Sequence, residues 1–205
     1  MSVNLPNSLT DTLLWSEELG MGWHPRQPME YRGDYFQKYR RMDREPMGVA
    51  LTATRVEMVR RHTQRTPVDI GIGGGRFVES INGLGYDVNA EAVAWLHGEG
   101  RYLDVYQHPV DAITCWDSLE HVPEPEKLVA CALEWVFVAM PIYRDQADCL
   151  NSKHYRPGEH IWYWNHDGLV QWFQRNGFDL VEYNDTETII GREGIMSYAF
   201  KRVEK

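Results

Sequence analysis

Apolar positions in this chain gather in short dense runs, and the stretches between them space their apolar residues for one face of a helix. Val68-Asp69-Ile70, Leu84 to Asp87, Ala112 to Trp116, Trp135 to Met140, Phe178 to Tyr183 and Ile195 to Lys201 read as strands. Helices are expected from Met47 to Arg61, where Leu51, Val56, Met58 and Val59 lean on a core, and over a short stretch at 75–81. Further helices are expected from a cap at Asn89 to His97, from Glu124 to Leu133, and from Asp167 to Arg175 with a stop near Gly177. Strands alternating with helices specify an α/β fold with a mostly parallel sheet. No repeat interrupts the pattern.

The first 46 residues differ from the rest. Pro6, Pro25, Pro28 and Pro46 forbid one long helix, because each lacks an N–H and clashes with the preceding turn. Aromatic and basic residues (Tyr31, Tyr35, Phe36, Tyr39; Arg32, Lys38, Arg40, Arg41) lie between them, so 1–46 reads as a lid or wrap over a globular unit at 47–205.

Composition narrows the class. Among 205 residues, 43% are apolar and 25% charged, which excludes wholesale disorder, collagen and coiled coil. The net charge of -9 works against a nucleic-acid partner, whose phosphates need clustered Lys and Arg, so a small-molecule partner is expected. Cys115, Cys131 and Cys149 are odd in number and lack C-x-x-C spacing, which points away from a disulfide framework or zinc cluster and towards a reducing, cytoplasmic setting. The N-terminus has no signal-peptide pattern, and the apolar run from Trp135 to Ile142 is too short to span a bilayer. No membrane association is expected, and oligomeric state stays open.

The most informative segment is Val68-Asp69-Ile70-Gly71-Ile72-Gly73-Gly74-Gly75-Arg76-Phe77. Glycines at 71, 73 and 75 let the chain turn tightly after a strand and bring bare backbone to a ligand that a Cβ would exclude. Helix N–H groups beyond them favour anionic ligand groups. The pattern is D-x-G-x-G-x-G, and Arg76 at the sixth position opposes the dinucleotide fingerprint and with it a nicotinamide oxidoreductase. No Lys-Ser/Thr pair comes after it, which excludes a P-loop. Eighteen residues past Asp69, Asp87 ends the next strand, where a carboxylate can accept the hydroxyls of a ribose. Each feature alone also fits an ordinary glycine turn or a helix-start acid.

Joined to three segments further along the chain, these residues resemble the class I S-adenosylmethionine-dependent methyltransferases. The similarity runs through Asp111-Ala-Ile-Thr-Cys-Trp-Asp-Ser-Leu-Glu-His-Val122, then Trp135-Val-Phe-Val-Ala-Met-Pro141, then Gly177-Phe178, covering about 67–202. The resemblance implies a Rossmann-like sheet of seven strands with an antiparallel last strand, and S-adenosyl-L-methionine as cofactor. It implies that Asp69 and the backbone of Gly71, Gly73 and Gly75 serve the methionine moiety, Asp87 the ribose and Asp104 the adenine, with Trp116 and Asp117 lining the transfer site. One departure is visible: the dozen residues between His97 and Asp111 are too few for a full third strand and its return, so that strand should be reduced, which puts the Asp104 assignment in doubt.

Methyl transfer from a sulfonium needs alignment and exclusion of water more than covalent machinery. Tyr35, Tyr39 and Trp116 offer the aromatic faces a sulfonium favours. His121, directly after the fourth strand of the resemblance, is the candidate general base for a hydroxyl acceptor, with Asp117 beside it; a bracing role with Glu120 is its alternative. After the fifth strand, where the family places recognition inserts, Lys153, His154, Tyr155, Arg156, Glu159 and His160 cluster, and with Arg40 and Arg41 they suit an anionic or sugar-like acceptor. A solvated polar loop is the other reading of that cluster. The six-residue spacing of His154 and His160 matches no common metal-ligand pair, so no metal is expected. Gly191-Arg192-Glu193 reads as a turn without a functional role. The function expected is methyl transfer to an O or N atom of a small acceptor; a pocket that binds the cofactor without turnover, as a sensor or scaffold, is the alternative.

Overall fold

The computed structural model of the chain describes residues 13–24 and 34–203. Pro6, Pro25, Pro28, Tyr31 and Arg32 of the expected wrap lie outside the described residues.

Six strands form the main sheet. β3 (Val68–Ile70) lies between β4 (Leu84–Tyr86) and β5 (Val110–Trp116); β6 (Ala132–Pro141) comes next, then β9 (Ile195–Arg202) and β8 (Phe178–Asn184). The first four are parallel, with Asp69 opposite Gly85 on one side and Thr114 on the other. β9 runs antiparallel to both β6 and β8, as expected of the final strand. The resemblance implied seven strands. The third is reduced to one bridge between Gly85 and Tyr102, because the chain from α4 (Ala90–Gly98) to β5 is too short to add a strand and still cross the sheet.

Helices cover both faces. The strictly alternating side chains of β6 show why: Val136, Val138 and Met140 pack on one side with Ile70, Ile113, Tyr198 and Phe200, beneath α5 (Pro125–Ala130) and α7 (His166–Arg175). Trp135, Phe137 and Ala139 pack on the other with Phe77 and with Met58 and Val59 of α2 (Pro46–His62). The interior of β6 is sealed on both faces, which is why its sequence is continuously apolar rather than alternating. α5 stops at Ala130 instead of running to Leu133, since β6 begins at Ala132 to pair with Val110. α7 is capped by the Asn165 side chain, which accepts from Gly168 N, and ends at Gly177 with φ +83°. Among the described residues no helix is long and apolar enough to cross a membrane.

A second, three-stranded sheet has no counterpart in the hydropathy pattern. β1 (Leu14–Ser16) and β2 (Met21–Trp23) form a hairpin, and β7 (Trp162–Trp164) adds antiparallel to β2 with Gly22 opposite Tyr163. Tyr163 and Trp164 are fully buried. Residues 14–23 are thereby stitched to the end of the insert after β6. α1 (Tyr35–Met42) packs on the glycine segment, where Arg40 donates to the Gly74 carbonyl at 3.0 Å and Arg76 N donates to Asp43 at 3.3 Å.

Candidate active site

The glycine segment, Asp87 and the residues after β5 meet at the carboxyl ends of the parallel strands, the usual place for a ligand crevice in such sheets. Gly71, Gly73 and Gly75 all have φ between +55° and +83°. A Cβ at Gly71 would sit 2.8 Å from Ser118 Cβ, and one at Gly75 would sit 2.7 Å from the Trp95 ring, so these two glycines let the loop lie against its own supports. Gly73 differs: a Cβ there would meet only Tyr39, at 3.6 Å, which leaves bare main chain facing open space with an aromatic ring beside it.

Two carboxylates hold the loop. Asp69 is buried in β3 and accepts from Thr114 Oγ1 at 2.7 Å, below the loop rather than in the crevice. Burial pushes its pKa from the ordinary 3.8 up to about 7. A raised carboxyl favours folding below the unfolded value and loses that contribution as pH climbs through about 7. The stability difference between the parent and Asp69→Asn should therefore change by a few kcal/mol between pH 4 and 7 and level off above pH 8, as read by denaturant unfolding across pH; a difference that is flat throughout would contradict the assignment. Asp87, at the end of β4, accepts from Ile72 N at 2.9 Å and Asn89 N at 2.7 Å. Burial raises its pKa, and those N–H groups oppose the rise. Each oxygen keeps acceptor capacity for a further donor.

Asp104 comes just after the residual third strand, and its carboxylate accepts from Tyr106 N and Gln107 Nε2 in its own turn. The Trp116 ring is 6% exposed and packs edge-on to Phe77 in the core on the α2 side, beneath the Arg55 guanidinium at 5.2 Å. Asp117 turns the chain out of β5 at φ +55°. Arg192 grips it with two bonds of 2.7 and 2.9 Å, and Arg55 adds a third at 3.0 Å. Burial pushes the Asp117 carboxyl up, but Arg192 and Arg55 outweigh this and hold it below the ordinary value. Glu187, 1% exposed at the start of α8 (Thr186–Ile189), closes the network on the same arginines at 2.7 to 2.9 Å. Arg55, Glu187 and Arg192 were not expected as site residues. Arg55 is one of many helix cations, and Arg192 is brought to Asp117 only by the turn into β9.

His121 ends a single 3-10 turn (Leu119–His121), where its Nδ1 lies 3.0 Å from the Glu159 carbonyl. That bond makes Nδ1 the donor and leaves Nε2 with its lone pair. The ring meets His160 edge-on, with centroids 4.8 Å apart, and the buried Glu120 lies beside them. Burial lowers both imidazole pKa values, that of His160 to about 3 with help from His121 and Arg156, so both rings are neutral near pH 7.

The rest of the basic cluster is dispersed. Lys153 pairs with Glu193 at 3.1 Å, His154 Nε2 lies 2.8 Å from the Glu193 carbonyl, and Arg156 pairs with Glu159 at 2.9 Å. Arg40 lies on the glycine loop, not on this cluster. Tyr35 and Tyr39 pack as tilted rings with centroids 4.6 Å apart within electrostatic reach of Arg156, and Tyr155 packs on Tyr163 at 5.5 Å.

A family model described as a methyltransferase domain matches residues 39–183. Among curated relatives, the ubiquinone biosynthesis O-methyltransferase of Cronobacter sakazakii is 40% identical over 32% of this chain and 35% of its own length. That of Burkholderia orbicola is 36% identical over 34% and 41%. The match thus spans 35% to 41% of the length of these relatives. Among solved structures, an S-adenosylmethionine-dependent methyltransferase from Archaeoglobus fulgidus superposes with a TM-score of 0.59 at 15% identity, covering 82% of this chain and all of that one. The magnesium protoporphyrin IX methyltransferase of Synechocystis, crystallised with S-adenosylhomocysteine, gives 0.55 at 14% identity over 85% and 90% of the two chains. The fold, the glycine crevice and the family match agree, and the chain belongs to the methyltransferase-domain family of class I S-adenosylmethionine-dependent enzymes.

Proposed function

We propose that this enzyme moves the methyl group of S-adenosylmethionine to an oxygen or nitrogen atom of a small acceptor of anionic or sugar-like character. The name of the curated relatives favours oxygen. The observation that carries the reading is the open main chain at Gly73, flanked by Tyr39 and Asp87 on one side and leading to the neutral imidazoles after β5 on the other.

The residues fit the cofactor. The open main chain at Gly73 leaves space for a methionine moiety, and Asp87 offers two partly used oxygens to ribose hydroxyls. When bound, the cofactor supplies a methyl group on a sulfonium for in-line displacement. The chain's own part is alignment and dryness: the backbone at 71–75 fixes the donor, and the insert over 152–164, tied down by β7, roofs the acceptor side. Asp104, whose two oxygens each accept one bond inside their own turn and keep a second lone pair, stays the candidate for the adenine contact. Asp117 is assigned a positioning role, setting Arg55 and Arg192, because a carboxylate gripped by two guanidiniums is a poor proton acceptor.

His121 is the residue on the acceptor side that a hydroxyl needs, since its Nε2 lone pair is present at neutral pH. His121→Ala should slow turnover about 100-fold and leave cofactor affinity unchanged, measured by product formation and calorimetry side by side. Equal turnover would return His121 to a bracing role.

The reaction itself is tested by labelling small-molecule extracts with a radioactive methyl donor and following S-adenosylhomocysteine. Labelled acceptor with equimolar S-adenosylhomocysteine is expected. Cofactor that binds and leaves unchanged in every extract would establish a sensor instead.

A further inference from the structure

Glu120 presents an anomaly that methyl transfer does not explain. Its side chain is 2% exposed, yet neither carboxylate oxygen has a hydrogen-bond partner. A buried carboxylate so placed needs a proton or a cation. The groups facing it are two imidazoles, with His121 Nε2 4.0 Å from Glu120 Oε1. One ligand atom from each of Glu120, His121 and His160 lies within 4.8 Å of the others.

We propose that Glu120, His121 and His160 form a binding site for one divalent transition-metal cation. Two imidazoles and a carboxylate are the donor set of borderline cations such as zinc, cobalt or iron(II), whereas calcium and magnesium favour all-oxygen cages. Three ligands held about 2.1 Å from one tetrahedral cation lie about 3.4 Å apart, so the side chains close by up to about 1.4 Å on binding. The orienting bond that metal-bound histidines require is already present, since His121 Nδ1 is held by the Glu159 carbonyl and Nε2 is the ring atom on the Glu120 side. One backbone bond and one indole bond fix the two ligand segments together: Ile161 N donates to the Glu120 carbonyl at 2.9 Å, and Trp162 Nε1 donates to the Val122 carbonyl at 2.8 Å. Three protein ligands leave a coordination position open. The site escapes sequence inspection because the neighbours Glu120 and His121 are completed by a histidine 39 residues further on, not by His154.

The site rests on the reading above only for its use, and where a cation is bound it takes the Nε2 lone pair of His121, which is then a ligand in place of the proton acceptor named there. With a cation in place the His121 lone pair is a ligand, and turnover becomes sensitive to chelator. An imidazole that accepts a proton directly would be indifferent to it.

The test uses the tag-free 205-residue chain, stripped with chelator and titrated with Co²⁺ while visible ligand-field absorption is followed. One equivalent is expected to bind with the intense spectrum of a four- or five-coordinate ion. Glu120→Gln and His160→Ala should each weaken binding at least about 10-fold, and the exposed His108→Ala should not. The absence of saturable binding, or equal affinity in the two ligand variants, would overturn the site. Should those variants not fold, Zn²⁺ added to the parent must shift the ring resonances of His121 and His160 and spare those of His108; unmoved resonances overturn the site equally. Calorimetry with S-adenosylmethionine on the same samples separates the two readings. A chain that binds cofactor but no metal loses only this inference, and one that binds metal but no cofactor loses the methyltransferase reading.

Discussion

Glu187→Gln should cost the fold about 3 to 5 kcal/mol, the largest loss expected from a single charge in this molecule. Glu187 is fully enclosed, and its two oxygens take three bonds from Arg55 and Arg192. With Asp117 it makes a balanced set of two anions and two cations between α2, α8, the turn into β9 and the tip of β5. Removing one anion leaves an uncompensated buried guanidinium, which is far more costly than the net worth of the intact set. Urea unfolding would read the effect as a lower midpoint at unchanged slope. A loss below about 1 kcal/mol would show that Asp117 alone satisfies both arginines. The companion change, Glu187→Leu with Arg55→Met, should recover most of the stability, because the penalty lies in the orphaned charge and not in the lost bonds.

Asp87→Ala should weaken S-adenosylmethionine binding by about 1 to 3 kcal/mol, roughly 5- to 150-fold in Kd. Two losses combine. The acceptors for the ribose go, and Ile72 N loses the partner that ties the glycine loop to the end of β4. Asp87→Asn keeps one carbonyl acceptor and should fall between parent and Ala. Calorimetry decides it; an unchanged Kd in Asp87→Ala would mean that the cofactor's sugar lies elsewhere.

Much of the donor half was legible in the chain, because local rules govern it. Glycines at 71, 73 and 75 were read as letting the chain turn tightly after a strand, and all three adopt the left-handed backbone that such a turn uses. The reduced third strand emerged from counting residues against strand spacing, and the structure leaves only the Gly85–Tyr102 bridge. The acceptor half was less legible. β1, β2 and β7 have three residues each, too short for a period to register, and their pairing joins residues about 140 apart. The basic residues at 153–156 looked like one clamp by proximity in sequence, but their partners, Glu193 and Glu159, draw them in two directions. Tertiary placement also decided the fates of Arg192 and His160, which local pattern read as part of a turn without a functional role and as a member of the acceptor-binding cluster.

The stunted third strand also governs how the molecule behaves in a crowd. Gly85 donates its N–H to the Arg101 carbonyl and accepts from Leu103 N, so the β4 border is occupied by a loop and presents no free ladder to a neighbour. At the opposite border β8 is seven residues long and exposes Val181 and Tyr183, with Asp179 and Glu182 set among them. Self-association by strand addition would therefore begin at β8, where the exposed Asp179 is the guard against it, Glu182 being held by Arg61 and His62 of α2; neutralising Asp179 should make aggregation the first visible defect, ahead of any loss of catalysis.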